Sequence, residues 1–99
     1  MNFENMLPIG SVVLLKDGKK KIVIMGVMQI KPMDDGRSLI YDYMGVPYPE
    51  GFMGRETGLL FNHDKIQEVF FIGYSDPERE NFVSVIQKML EKTEKHIEE

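Results

Sequence analysis

Between Tyr74 and Glu78 the hydrophobic period of the chain changes, and that switch fixes most of what the chain can fold into. Before it, apolar residues come in short alternating or continuous runs divided by Gly, Pro and Asp, the pattern of strands and turns. After it, Phe82, Val85/Ile86, Met89/Leu90, Thr93 and Ile97 recur at helical spacing. Ser75-Asp76-Pro77-Glu78 marks the boundary. Ser75 and Glu78 have capping-box spacing, and Pro77 suits a first helical turn. Glu91 and Lys95 add an i,i+4 pair worth about 0.2–0.5 kcal/mol. The expectation is an α+β fold in one domain over 1–99, with strands within 11–74 and one helix over about 76–97.

The strand half can be read in order. Leu7-Pro8-Ile9-Gly10 is an extended entry and a turn, because Pro8 biases Leu7 away from helix and Gly10 permits unusual backbone angles. Ser11–Lys16 follows as a strand, and Lys16-Asp17-Gly18-Lys19 holds the Asp-Gly pair of a tight type I′ hairpin. In the return strand, Lys20–Ile30, alternation puts Ile22, Ile24, Met28 and Ile30 on one face and Val23, Met25 and Val27 on the other. Two apolar faces predict cover on both sides, and Gly26 predicts a bulge or bend. Ser38–Met44 is a third strand, Gly45–Gly58 a long Pro/Gly loop, and Leu59–Asn62 a short edge strand. Asn62–Lys65 is a turn, and Ile66–Tyr74 a further clear strand. An isolated helix of the predicted length is marginal in water, so its apolar stripe needs a surface to cover. The simplest arrangement is a bent antiparallel sheet, or a small open barrel, of four to five strands covered by one C-terminal amphipathic helix.

Composition then narrows the chemistry. The 99 residues include no cysteine, which fits a reducing cytoplasm and removes thiol chemistry. Met1–Leu7 has neither the basic nor the apolar region of a signal peptide. No apolar run approaches the roughly 18–20 residues that span a bilayer, so no membrane insertion is expected. The two histidines, His63 and His96, are far apart and lack metal-ligand spacing. No serine sits in a Gly-x-Ser-x-Gly elbow. Asp34-Asp35 and Glu50 lie in turn sequences, and Gly51-Phe52-Met53-Gly54 does not join a strand to a helix. The expectation is a non-enzymatic protein with no metal and no cofactor. Lys16, Lys19, Lys20 and Lys21 form a basic tip that a single-strand nucleic-acid binder could use. The formal charge of −4 argues against that role.

The candidate partner-binding residues are Tyr41, Tyr43, Tyr48, Pro49, Glu50 and Phe52. They lie in or beside the Pro/Gly segment, where prolines lower the entropy cost of ordering a loop and tyrosine is favoured at interfaces. The alternative use of the same rings is packing over one end of the sheet. The helix stripe is a second candidate surface, in the manner of a helix laid in a groove. Self-association of the chain is left open.

Several segments, in order, carry a resemblance. They are Leu7-Pro8-Ile9-Gly10-Ser11-Val12-Val13, Lys19-Lys20-Lys21, Tyr41-Asp42-Tyr43-Met44-Gly45, Tyr48-Pro49-Glu50-Gly51, Phe61-Asn62-His63-Asp64 and Val69-Phe70-Phe71-Ile72-Gly73-Tyr74. From about Leu7 to Phe82 the chain resembles an uncharacterised family of small proteins encoded beside type VII secretion loci of Gram-positive bacteria, often near LXG-type toxin genes. That family has no established catalytic residues. The resemblance implies an accessory, adaptor or chaperone-like role in toxin export through a protein partner, a secretion substrate or a secretion component. A toxin-neutralising, immunity-like role is the alternative.

Overall fold

The computed structural model describes residues 5–98, with side chains through Glu91. The chain divides into two compact units, one over 7–74 and one comprising the segment from Ser75 onward with the residues just before Leu7.

The first unit is a five-stranded, fully antiparallel open sheet. Its strands are β1 (Val12–Leu15), β2 (Lys21–Pro32), β3 (Ser38–Pro47), β4 (Leu59–Phe61) and β5 (Ile66–Phe71). The spatial order is β4-β3-β2-β1-β5, a meander whose last strand returns to pair with the first. Short 3-10 turns, Arg55–Thr57 and His63–Lys65, lead into β4 and β5. Most of the core lies on one face; Val46, which alternates with Gly45, is buried on the other. Val13 is opposite Ile22, and Tyr43 is opposite Phe61. All four are buried, together with Ile24 and Leu7. Ile24 faces Gly45, and a Cβ there would collide with the Ile22 side chain and lie 3.1 Å from the Val23 carbonyl. Glycine at this position lets the aliphatic and aromatic halves of the core meet.

The Gly26 bulge forms as expected, with a register shift in β2 between Ile24 and Gly26. Its consequence corrects the grouping of side chains read from alternation. The inserted residue puts Val27 opposite Tyr43, on the core face, and moves Met28 and Ile30 to the face opposite Ile22 and Ile24. The outer half of β2 is also not covered on both sides. β1 pairs with β2 only over Lys21–Val23, and β4 pairs with β3 only over Tyr43–Gly45. Beyond those limits β2 and β3 form a two-stranded ribbon with Ile30 67% and Ile40 42% exposed. The ribbon ends in a three-residue turn closed by Met33 N–H to the Arg37 carbonyl (2.7 Å). Gly36 is left-handed there at φ 87°, the usual composition of a type I turn with a glycine bulge.

The Asp-Gly turn differs from expectation too. Asp17 is the residue with positive φ (64°), Gly18 N–H bonds the Leu15 carbonyl, and β2 does not begin until Lys21. A type I′ hairpin would need two consecutive positive φ values. Instead Lys16 N–H is drawn away to the Lys65 carbonyl (2.8 Å), which opens the loop.

The first residues of the sheet unit form a strap that one serine latches. Ser11 is fully buried. Its hydroxyl donates to the Pro8 carbonyl (2.7 Å) and accepts Gly73 N–H (2.9 Å), so it ties the entry strap to the chain leaving β5. Ser11 carbonyl accepts Ile24 N–H (2.9 Å), and Gly10 N–H reaches the Ile24 carbonyl (2.8 Å), which carries the β1–β2 ladder past Val12. A Cβ on Gly73 would strike the Ile9 carbonyl.

The second unit is the helix α1 (Pro77–Glu98). Asp76, not Ser75, is its N-cap. The Asp76 carboxylate accepts Arg79 N–H (2.9 Å) and its carbonyl accepts Glu80 N–H (3.0 Å), which puts Pro77 at the first helical position. The Arg79 guanidinium donates to the Met6 carbonyl (2.7 Å). Phe82, Val85 and Met89 are exposed, and Val83, Ile86 and Leu90 half-buried. The predicted Thr93 and Ile97 positions, and Lys95 of the Glu91–Lys95 pair, fall on side chains outside the described ones. No helix is long and apolar enough to cross a membrane among the described residues.

Candidate functional site

The aromatic loop begins where β3 ends. Tyr48 N–H donates to the Lys21 carbonyl (2.9 Å), adding a last rung to the β2–β3 ladder. The Tyr48-Pro49 peptide is cis, Gly51 is left-handed (φ 77°), and Gly51 N–H closes the turn on the Pro47 carbonyl (2.7 Å). The backbone reverses within four residues and leaves Tyr48, Pro49 and Glu50 outside the core. Phe52 and Met53 follow, 56% and 67% exposed. Thr57 steadies this stretch, accepting Met53 N–H (3.1 Å) and donating to the Gly54 carbonyl (2.6 Å).

Lys20 of the β1–β2 connection and Lys21, the first residue of β2, hold the loop from the side. Lys20 Nζ lies 2.8 Å from Glu50 Oε1. This hydrogen-bonded ion pair holds the Glu50 carboxyl below the usual carboxylate range. Lys21 Nζ lies 5.8 Å from the Tyr48 ring centroid and 5.2 Å from that of Phe70 on β5, within cation–π reach of both. Both cations are solvated at this edge, so each contact is a modest tether. Together they fix which faces of Tyr48 and Glu50 are presented. The Lys20–Lys21 tip thus braces the loop as well as carrying charge. Tip and loop are separate features along the sequence; the pairing of β2 with β3, which sets Ile22 opposite Pro47, brings them together.

The structure brings Tyr48, Pro49, Glu50 and Phe52 together and separates the other two candidates. Tyr41 is half-buried on β3 and lies roughly 20 Å from Tyr48 along the extended strand. Tyr43 has no exposure at all, so its ring belongs to the core and not to a surface. Its hydroxyl accepts Leu7 N–H (2.9 Å) and shares a hydrogen bond with His63 Nδ1 (2.7 Å). His63 N–H in turn donates to the Asp42 carboxylate (2.8 Å), and Asp42 N–H donates to Asn62 Oδ1 (3.0 Å). Asn62-His63-Asp64 is therefore more than a turn: Asn62 and His63 join the strap, β3 and the 3-10 turn before β5. Among the described residues no group of three or more His, Cys, Asp or Glu could hold a metal ion.

These arrangements suit recognition of another surface. The loop offers exposed rings, one braced carboxylate and a preset backbone. No curated protein and no solved structure matches the chain. A family model does match, over residues 6–82, and the chain belongs to that family, described as a domain of unknown function, DUF4176.

Proposed function

We propose that this protein is a non-enzymatic binding module that serves, in the cytoplasm, as an accessory or chaperone-like adaptor for export of LXG-type toxins through a type VII system. The observation that carries the binding half is the surface. Within the sheet unit fifteen large hydrophobic side chains are exposed, from Ile9 to Tyr74, against seven that are buried. Exposed apolar area of this extent favours association over solvation. The Tyr48–Phe52 loop is the best-organised part of it, with rings outward and the Lys20–Glu50 pair at its flank. The export half is supported by the ordered motifs that resemble proteins encoded at such loci.

The test is co-purification with the N-terminal domain of the adjacent toxin, paired with toxin export after gene deletion. The proposal expects a complex, weakened at least tenfold by Tyr48→Ala with Phe52→Ala, and reduced export in the deletion strain. No complex and unchanged export would refute it. Protection of cells from the co-expressed toxin would move the assignment to immunity.

A further inference from the structure

The ribbon of β2 and β3 has one free edge that two copies of the chain can share. Met33 N–H bonds the Arg37 carbonyl, so next to the turn Leu39 and Tyr41 of β3 face β2; nearer Pro47 the phase is reversed, since Tyr48 N–H bonds the Lys21 carbonyl and Ile24 gives both its backbone groups to Gly10 and Ser11. Ser38 and Ile40 then direct their backbone groups to the other side, as does the Asp42 N–H, which bonds Asn62 Oδ1. β4 occupies the edge only at Tyr43–Gly45, and the Asn62 side chain takes one more rung. What remains is Ser38–Asp42, bounded by the Arg37 turn at one end and Asn62 at the other, with Ile40 at its midpoint.

The two edges of the ribbon are not equivalent. On β2 the outer edge is spoiled by the Gly26 bulge, by Met28 at φ 50° and by Pro32, which has no N–H. Bulges and prolines of this kind block strand addition. Over Ser38–Asp42, β3 has no proline, glycine, lysine or register shift. A two-stranded ribbon is marginal alone in water and gains from a third strand.

We propose that the Ser38–Asp42 edge pairs antiparallel with the same edge of a second copy, about a two-fold axis at Ile40. In this register Ile40 meets Ile40 and the two backbones exchange both hydrogen bonds. Leu39 lies opposite Tyr41. Ser38 lies opposite Asp42 at each end. The Asp42 N–H, already given to Asn62, is not needed. No like charges face one another, and a two-fold contact requires such self-complementarity. Because Ile30 is opposite Ile40 within each ribbon, the pairing builds a row of four isoleucines across the joined sheet. This goes beyond the export reading and stands or falls without it.

An edge of five residues buries less than the about 800 Å² per partner of a standard interface, so the dimer should depend on concentration in the micromolar range. Sedimentation velocity of the full chain across that range should show the 11.5 kDa species giving way to one of twice the mass. Ile40→Lys opposes two charges at the axis and should weaken the dimer at least tenfold while leaving the far-ultraviolet circular dichroism unchanged. In the unmodified protein, exchange of the Ile40 amide should slow as concentration rises, and exchange of the Asp42 amide should not change. A chain monomeric to several hundred micromolar, or a dimer that survives Ile40→Lys with fast Ile40 exchange, overturns the proposal.

Discussion

Ser11→Ala tests the latch. The side chain is wholly buried and its hydroxyl makes two bonds, to the Pro8 carbonyl at 2.7 Å and from Gly73 N–H at 2.9 Å. Each neutral bond contributes about 1 kcal/mol net, and a buried donor left without a partner costs about 1–3 kcal/mol. The losses overlap. The Pro8 carbonyl keeps Ser11 N–H at 3.2 Å, so only the Gly73 N–H is stranded. The expected destabilisation is about 2–3 kcal/mol, and at about 4–8 °C per kcal/mol for a domain of this size Tm should fall by about 10–20 °C. In urea the midpoint should fall with the m-value unchanged, since the surface exposed on unfolding is the same. Amide exchange at Gly73 should quicken beyond the rest of β5. A melt within about 3 °C of wild type, or a loss spread evenly over all amides, would refute the assignment of Ser11 as the tie between strap and β5.

Four further outcomes follow from particular contacts. Gly45→Ala places a methyl against Ile22 and near the Val23 carbonyl, and should cost about 1–3 kcal/mol in a denaturant titration. Tyr43→Phe keeps the ring against Phe61 but withdraws the hydroxyl from Leu7 N–H and His63, for a loss of about 1–3 kcal/mol with faster exchange at Leu7. Asp76→Ala removes the helix cap and should cost about 1 kcal/mol, read as faster exchange in the first turn of α1. Glu50 should titrate by NMR below its ordinary 4.5 and move back toward it in Lys20→Ala. The sign follows from the depressed value: the pair's small contribution is present above 4.5 and is lost as pH falls through the lower folded value.

The elements themselves were legible because each rests on local chemistry. Strand period, the Gly26 bulge, the edge strand near Leu59 and the helix after Pro77 can all be read from neighbours in sequence. The misreadings share another cause. Ser75 and Asp76 both offer a capping oxygen, and it is Asp76 that takes the Arg79 N–H, with Pro77 at the first helical position. Asp17-Gly18 has hairpin composition, but the Lys16–Lys65 bond, between residues far apart in sequence, sets the turn. Past Gly26, one inserted residue reverses every later side chain, so a bulge placed correctly still yields the wrong faces unless its effect is carried forward.

Tyr41 and Tyr43 carry the same argument to the site. Alternation puts both on one face of β3, and nothing in their composition separates them. The difference is that β4 runs alongside Tyr43 and stops before Tyr41. Phe61, His63 and the Leu7 amide then surround Tyr43, whereas Tyr41 is left beside Gln29 on the ribbon. Where a three-residue strand ends therefore decides which tyrosine is core. The same ending leaves Ser38–Tyr41 without a neighbouring strand, so the feature that hides one candidate residue exposes the edge proposed to take a second copy. Both proposed binding surfaces lie where pairing stops: at Pro47, where the chain turns out into the Tyr48–Phe52 loop, and at Asn62, where β4 gives way and β3 continues alone.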